Sequence, residues 1–99
     1  MTSTAPIVIV DTREPSHIST QLTSFGLTVV EDTLETGDYI FYPHGLKVAI
    51  ERKRIDDLLN SLRDSRMVNQ AHRLIDGFST AILLIEGRYD RSMSGVVTY

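Results

Sequence analysis

The chain has 99 residues, 41% of them hydrophobic and 23% charged, with no cysteine and a formal net charge of −3. That size and balance suit one small folded domain, and the missing thiols exclude disulfide frameworks, thiolate metal centres and cysteine nucleophiles. No apolar run approaches the roughly 18 residues of a membrane span and none follows a basic leader, so the expectation is a soluble intracellular protein without a membrane partner.

In chain order, the β-branched run Ile7 to Val10 reads as a buried strand that delivers Asp11-Thr12-Arg13-Glu14 at its carboxyl end. Ser16 is placed to cap a short helix carrying Ile18, Leu22 and Phe25, which Gly26 stops. Leu27 to Leu34 reads as a second strand, Thr36-Gly37-Asp38 as a turn, Tyr39 to Tyr42 as a third strand, and Pro43-His44-Gly45 as a hairpin link to a fourth, Leu46 to Lys53. Strands two to four are expected as an antiparallel meander.

From Ile55 the period becomes helical, with Ile55, Leu58, Leu59 and Leu62 on one stripe. Met67, Ala71, Leu74 and Phe78 repeat it after a break near Asp64-Ser65, and Gly77 closes that second helix. Thr80 to Glu86 is nearly all apolar, as in a strand buried on both faces. The remainder has no clear period. The order predicts an α/β fold, a mixed β-sheet flanked by helices.

Charge is unevenly spread: residues 1–46 hold one arginine against six acids, whereas residues 47–73 hold seven Lys or Arg against four. Taken alone, such a basic segment is more often a solvated helix face than a phosphate-binding one. Within it, strand alternation puts Glu51 and Lys53 on one face and Val48, Ile50 and Arg52 on the other. Asp38, on the neighbouring strand, can join Glu51. Two such carboxylates suit a hard divalent ion such as Mg²⁺, and a nearby ammonium suits charge that builds up during phosphodiester hydrolysis. Each residue also has a plainer reading: Asp38 as a turn residue, Glu51 and Lys53 as solvated neighbours, Asp11 as a cap. His17, His44 and His72 have no zinc-ligand spacing, and Gly-rich phosphate loops are absent.

Gly37-Asp38 followed by Glu51-Arg52-Lys53-Arg54-Ile55-Asp56-Asp57 resembles the GD…ERKxxxD signature of the XPF/Mus-type structure-specific endonucleases, within the restriction-endonuclease-like PD-(D/E)xK superfamily. Val10-Asp11-Thr12-Arg13-Glu14 is similar to that family's VDxRE, Asp57-Leu58-Leu59-Asn60-Ser61-Leu62 to its DLxxSL, and Leu83-Leu84-Ile85-Glu86-Gly87 to its LLIEG. The resemblance implies a restriction-endonuclease-like fold and a metal-dependent DNA endonuclease acting in DNA repair on branched or flapped DNA. It implies Asp38, Glu51 and the Arg52 carbonyl as ligands of one or two Mg²⁺ (or Mn²⁺) ions, Lys53 as the superfamily lysine, Asp11 and Glu14 assisting the metal or its waters, and Asp57 completing the catalytic set. DNA contacts fall to Arg13, Arg52, Arg66 and Gln70, the last two matching GRxxxQ with Ser65 in place of the usual glycine. Residues 1–99 are expected as a single nuclease domain, minimal or truncated after about residue 87, that forms a homodimer or joins a heteromeric protein partner. An inactive DNA-binding or dimerisation scaffold and an RNA-directed nuclease stay open.

Overall fold

The computed structural model describes residues 5–63 and 65–88. Strand β1 (Ile7–Asp11) leads through helix α1 (Ser16–Ser24) to β2 (Thr28–Asp32); β3 (Tyr39–Phe41) and β4 (Val48–Arg54) follow, then α2 (Ile55–Arg63), α3 (Arg66–Gly77) and β5 (Thr80–Glu86). The strands form one sheet in the order β2-β1-β3-β4-β5.

That order corrects the expected meander. β2 pairs in parallel with β1, Val8 opposite Val29, and does not touch β3 in the ladder. The reason lies in α1, which carries the chain over the sheet so that the next strand enters in the same direction as β1. β3 then lies antiparallel to β1 on its other side and forms a true hairpin with β4. The link is a single 3₁₀ turn over Pro43–Gly45, with His44 left-handed at φ 52°. A second crossover, through α2 and α3, returns β5 parallel to β4.

Alternation assigns the two faces. Val8, Val10 and Tyr39 are buried under α1, where Ile18 and Leu22 pack with Ile50. Full burial of a valine such as Val10 contributes about 1.5 to 3 kcal/mol. On the other face Ala49 is buried at 0% exposure, and Leu74 of α3 lies close to Gly37. Glu51 and Lys53 follow Ala49 on this α3 face, and Arg52 follows Ile50 on the α1 face, as alternation requires.

Two more expectations are corrected. Ser16 makes no side-chain cap; Pro15 precedes the first turn of α1 and supplies the helical entry by its fixed φ of −58°. β5 is not buried on both faces. It is the sheet edge, and Ile82, Leu84 and Ile85 are between 42% and 47% exposed, on the α1 face for Ile82 and Leu84 and on the α3 face for Ile85. The break between α2 and α3 falls where the sequence places it: Ser65 turns left-handed at φ 65°, a conformation glycine adopts without cost. The last stretch, from Tyr89 on, lies outside the described residues.

Candidate active site

Extending the β3–β4 register by one step from Tyr39 and Ile50 brings Asp38 opposite Glu51. The backbone fixes Asp38 on three sides: its N–H donates to the Ile50 carbonyl at 2.9 Å, its carbonyl accepts from Asp11 N–H at 2.9 Å, and its Oδ2 accepts from Arg52 N–H at 2.8 Å. A strand end thus becomes a rigid bracket for one carboxylate.

Both carboxyls are hard to ionise. Burial, then the nearby Asp38 charge, pushes Glu51 up to about 7 from an ordinary 4.5, although Lys53 and Arg73 oppose this. Burial likewise raises Asp38, helped by Glu14 and Asp11 and opposed by the Arg52 N–H. Two partly desolvated carboxylates that repel one another are a site short of positive charge. Lys53, on the same face, donates from Nζ to Gln70 Oε1 at 2.9 Å; the ammonium is therefore held by α3 with donors to spare.

The remaining predicted residues divide. Asp57, in the first turn of α2, lines a polar recess of about 350 Å³ with Lys53, Arg54, Ser61 and Arg66. Ser61 is fully buried and donates to the Asp57 carbonyl at 2.7 Å, which ties down that turn. Gln70, for which the resemblance implies a DNA contact, holds Lys53 directly.

Arg52 lies on the opposite face. Its Nε donates to Glu14 Oε1 at 2.8 Å and another guanidinium nitrogen to Glu86 Oε1 at 2.9 Å. The guanidinium expected to contact DNA therefore joins the β1–α1 junction to the end of β5. Glu14 is committed to this pair and lies near the buried Tyr39 hydroxyl, which burial and then Glu14 push upward and which has no well-formed hydrogen bond among the described residues.

Asp11 does not join Asp38 and Glu51. Arg13 grips both its oxygens, Nε to Oδ2 at 2.8 Å and a terminal nitrogen to Oδ1 at 3.0 Å, and Leu34 N–H adds a third contact at 2.9 Å. This pairing holds the Asp11 carboxyl down at about 2. Among the described residues no three His, Asp or Glu side chains are grouped as a metal cage. The carboxylate pair with main-chain oxygen and water is a donor set that fits a hard divalent ion, since Mg²⁺ keeps several waters.

Three residues beside the site escape the sequence reading. Glu35, Thr36 and Arg73 line a small cavity with Glu51 and Gln70. Arg73 could have been found: Arg66, Gln70 and Arg73 recur at i, i+4 and i+7 on one helical stripe. Glu35 and Thr36 carry no such signal, because the β2–β3 loop reaches the site only through the fold.

The ERCC4 domain profile matches residues 10–96. The chain belongs to the ERCC4 domain family. This ERCC4 domain is 36% identical over 92 residues to the DNA repair protein RAD1 of Saccharomyces cerevisiae, a match covering 92% of this chain and 8% of that protein. It is 38% identical over 77 residues to the 3′-flap repair endonuclease Xpf of Saccharolobus solfataricus, covering 78% of this chain and 32% of that one. Among solved structures, XPF from Aeropyrum pernix in complex with DNA superposes with a TM-score of 0.76 at 35% identity, over 91% of this chain and 44% of that chain. The ERCC4 domain therefore spans under half of these relatives, and the likeness supports the mixed-sheet nuclease fold expected from the sequence.

Proposed function

We propose that this ERCC4 domain is a metal-dependent endonuclease that hydrolyses phosphodiester bonds in branched or flapped DNA. The observation that carries the reading is the Asp38–Glu51 pair, two carboxyls that burial makes hard to ionise, set beside an ammonium that α3 holds in place. A site selected for stability alone would neutralise or solvate such a pair.

Asp38, Glu51 and the Arg52 carbonyl would hold Mg²⁺ or Mn²⁺. When bound, such an ion polarises the phosphoryl oxygen and lowers the pKa of a coordinated water. The chain's own residues do the rest. Lys53, oriented by Gln70, offers positive charge to the phosphate oxygens as negative charge builds there. Arg66, in the recess beside Lys53, holds a phosphate of the same strand. Arg52, Glu14 and Glu86 clamp the back of β4, and the Asp11–Arg13 pair clamps the end of β1, so that both strands keep Asp38 in register. Asp57 closes the first turn of α2 with Ser61 and sets the wall of the recess.

The relatives' names as DNA repair proteins and endonucleases support the substrate class, and a neighbour solved with DNA supports the contact. Work on DNA in turn favours an intracellular site, and no described helix is long and apolar enough to cross a membrane. The exposed apolar residues of β5 support a second chain, identical or not, against this edge.

Incubation of the protein with flap, fork and plain duplex DNA in Mg²⁺, Mn²⁺ or EDTA tests the reading. Cleavage is expected only with metal, faster on branched substrates, and lost in Asp38→Ala and Glu51→Ala. Retardation of DNA without metal-dependent cutting would point to a binding scaffold instead.

A further inference from the structure

The cavity beside Glu51 has a neighbour. A second cavity, of about 340 Å³, opens between the β2–β3 loop and the end of α3, and it shares Glu35, Thr36 and Arg73 with the first. Its outer wall is Phe78, half-buried just after α3, with Lys47 Nζ 4.7 Å above the ring centroid. The two cavities are neighbours that share three walls, one side reaching Glu51 and the other an aromatic ring.

The chemistry of the two cavities differs. Near Glu51 the cation Arg73 lines the same cavity. Along α3, Arg66 and Arg73 stand two turns apart, roughly 10 Å of helix rise, on either side of Gln70 and the Lys53 it holds. Further out the lining includes apolar Leu34 and Ile40 with Phe78, while Thr33, Glu35 and Thr36 of the loop supply polar groups. Glu35 would repel a phosphate in this outer half but can accept from the exocyclic amine of a base. A base stacked on Phe78 would take the place of Lys47 over the ring or use its other face, with the loop acceptors for its edge and Arg73 as a separate cation for its phosphate.

We propose that this outer cavity receives one unpaired nucleobase of the cleaved strand, stacked on Phe78 and next to the scissile phosphate, while Arg73 holds the phosphate that joins them. The proposal rests on the endonuclease reading for the direction of the strand. It adds a reason for preferring branched DNA: a base in a continuous duplex is stacked on both sides and cannot enter without unstacking.

Binding is measured by fluorescence anisotropy in EDTA, on flap DNA and on fully paired duplex, so that cleavage plays no part. Phe78→Leu, which keeps an apolar side chain but removes the ring, is expected to weaken flap binding about tenfold and duplex binding by less than twofold. Phe78→Trp is expected to retain flap binding. Arg73→Ala is expected to reduce the dependence of log K on log salt by about 0.7 to 0.9, the share of one phosphate. A 2-aminopurine placed in the flap beside the junction should be quenched by wild-type protein and not by Phe78→Leu. Equal flap binding by Phe78→Leu and wild type, or unchanged 2-aminopurine emission, overturns the proposal. DNA binding with this pattern but no metal-dependent cutting would refute the nuclease reading and leave the base pocket standing.

Discussion

Arg52 N–H donates to Asp38 Oδ2 at 2.8 Å, so the strand that carries Glu51 and Lys53 also aims the opposing carboxylate. The same residue sends its side chain through the sheet in the other direction, to Glu14 and Glu86. One residue of β4 thereby joins the front of the site to its support.

That support is measurable. The Arg52 and Glu14 side chains are only 19% and 10% exposed, so Arg52→Met leaves a largely buried carboxylate without its cation. A loss of about 2 to 3 kcal/mol in unfolding free energy is expected, read by urea denaturation. Adding Glu14→Gln should return part of that loss, because the two changes remove members of one pair. Strict additivity would show that the two residues are not coupled.

Glu51 should cost the fold stability at alkaline pH. Its folded pKa, about 7, lies above the ordinary 4.5, so the folded state holds this proton more tightly than the unfolded chain. Its contribution is therefore neutral below pH 4.5, turns unfavourable as pH rises, and is fully unfavourable above about pH 7. Glu51→Gln should match wild type near pH 4 and exceed it by about 1 to 2 kcal/mol at pH 8, a range reduced because the position is only partly buried. Denaturation curves at the two pH values decide it; equal stability at pH 8 would contradict the raised pKa.

Divalent-ion affinity should follow the same group with the opposite benefit. Ligation needs the carboxylate ionised, and with a pKa of about 7 the ionised fraction grows roughly tenfold between pH 6 and pH 8. Titration calorimetry with Mn²⁺ should show affinity rising by about that factor across the interval. Asp38→Asn should abolish the heat at both ends. An affinity independent of pH would remove Glu51 from the ligand set.

Asp11 behaves in reverse. Arg13 hydrogen bonds hold its carboxyl at about 2, below the ordinary 3.8. Its stabilisation is present above about pH 3.8 and disappears as pH falls towards 2. Asp11→Asn should cost about 1 to 2 kcal/mol at pH 7, a modest figure because the Arg13 side chain is 69% exposed. Near pH 2 the variant and wild type should unfold alike, which acid titration followed by circular dichroism can check.

Much of this was legible in the chain itself. The two helical periods after Ile55, the break near Ser65 and the strand alternation that puts Glu51 with Lys53 and against Arg52 are local consequences of side-chain spacing, and the structure keeps them, although Leu62 is 54% exposed and Phe78 falls just beyond α3. The GD…ERKxxxD pattern is what singles out Asp38, Glu51 and Lys53 as candidates.

What the spacing could not say was which strand lies beside which. A six-residue connection from β2 to β3 is compatible with a hairpin, and only the α1 crossover sends β2 to the far edge beside β1. The choice of ion partners was equally out of reach: that Arg13 would occupy Asp11, that Glu86 would come from β5 to meet Arg52, and that the β2–β3 loop would close a cavity against Arg73. Local periodicity determines which residues share a face because it follows from backbone geometry alone. Strand order and charge pairing depend on segments distant in sequence being packed together, and that is settled only when the whole sheet is assembled.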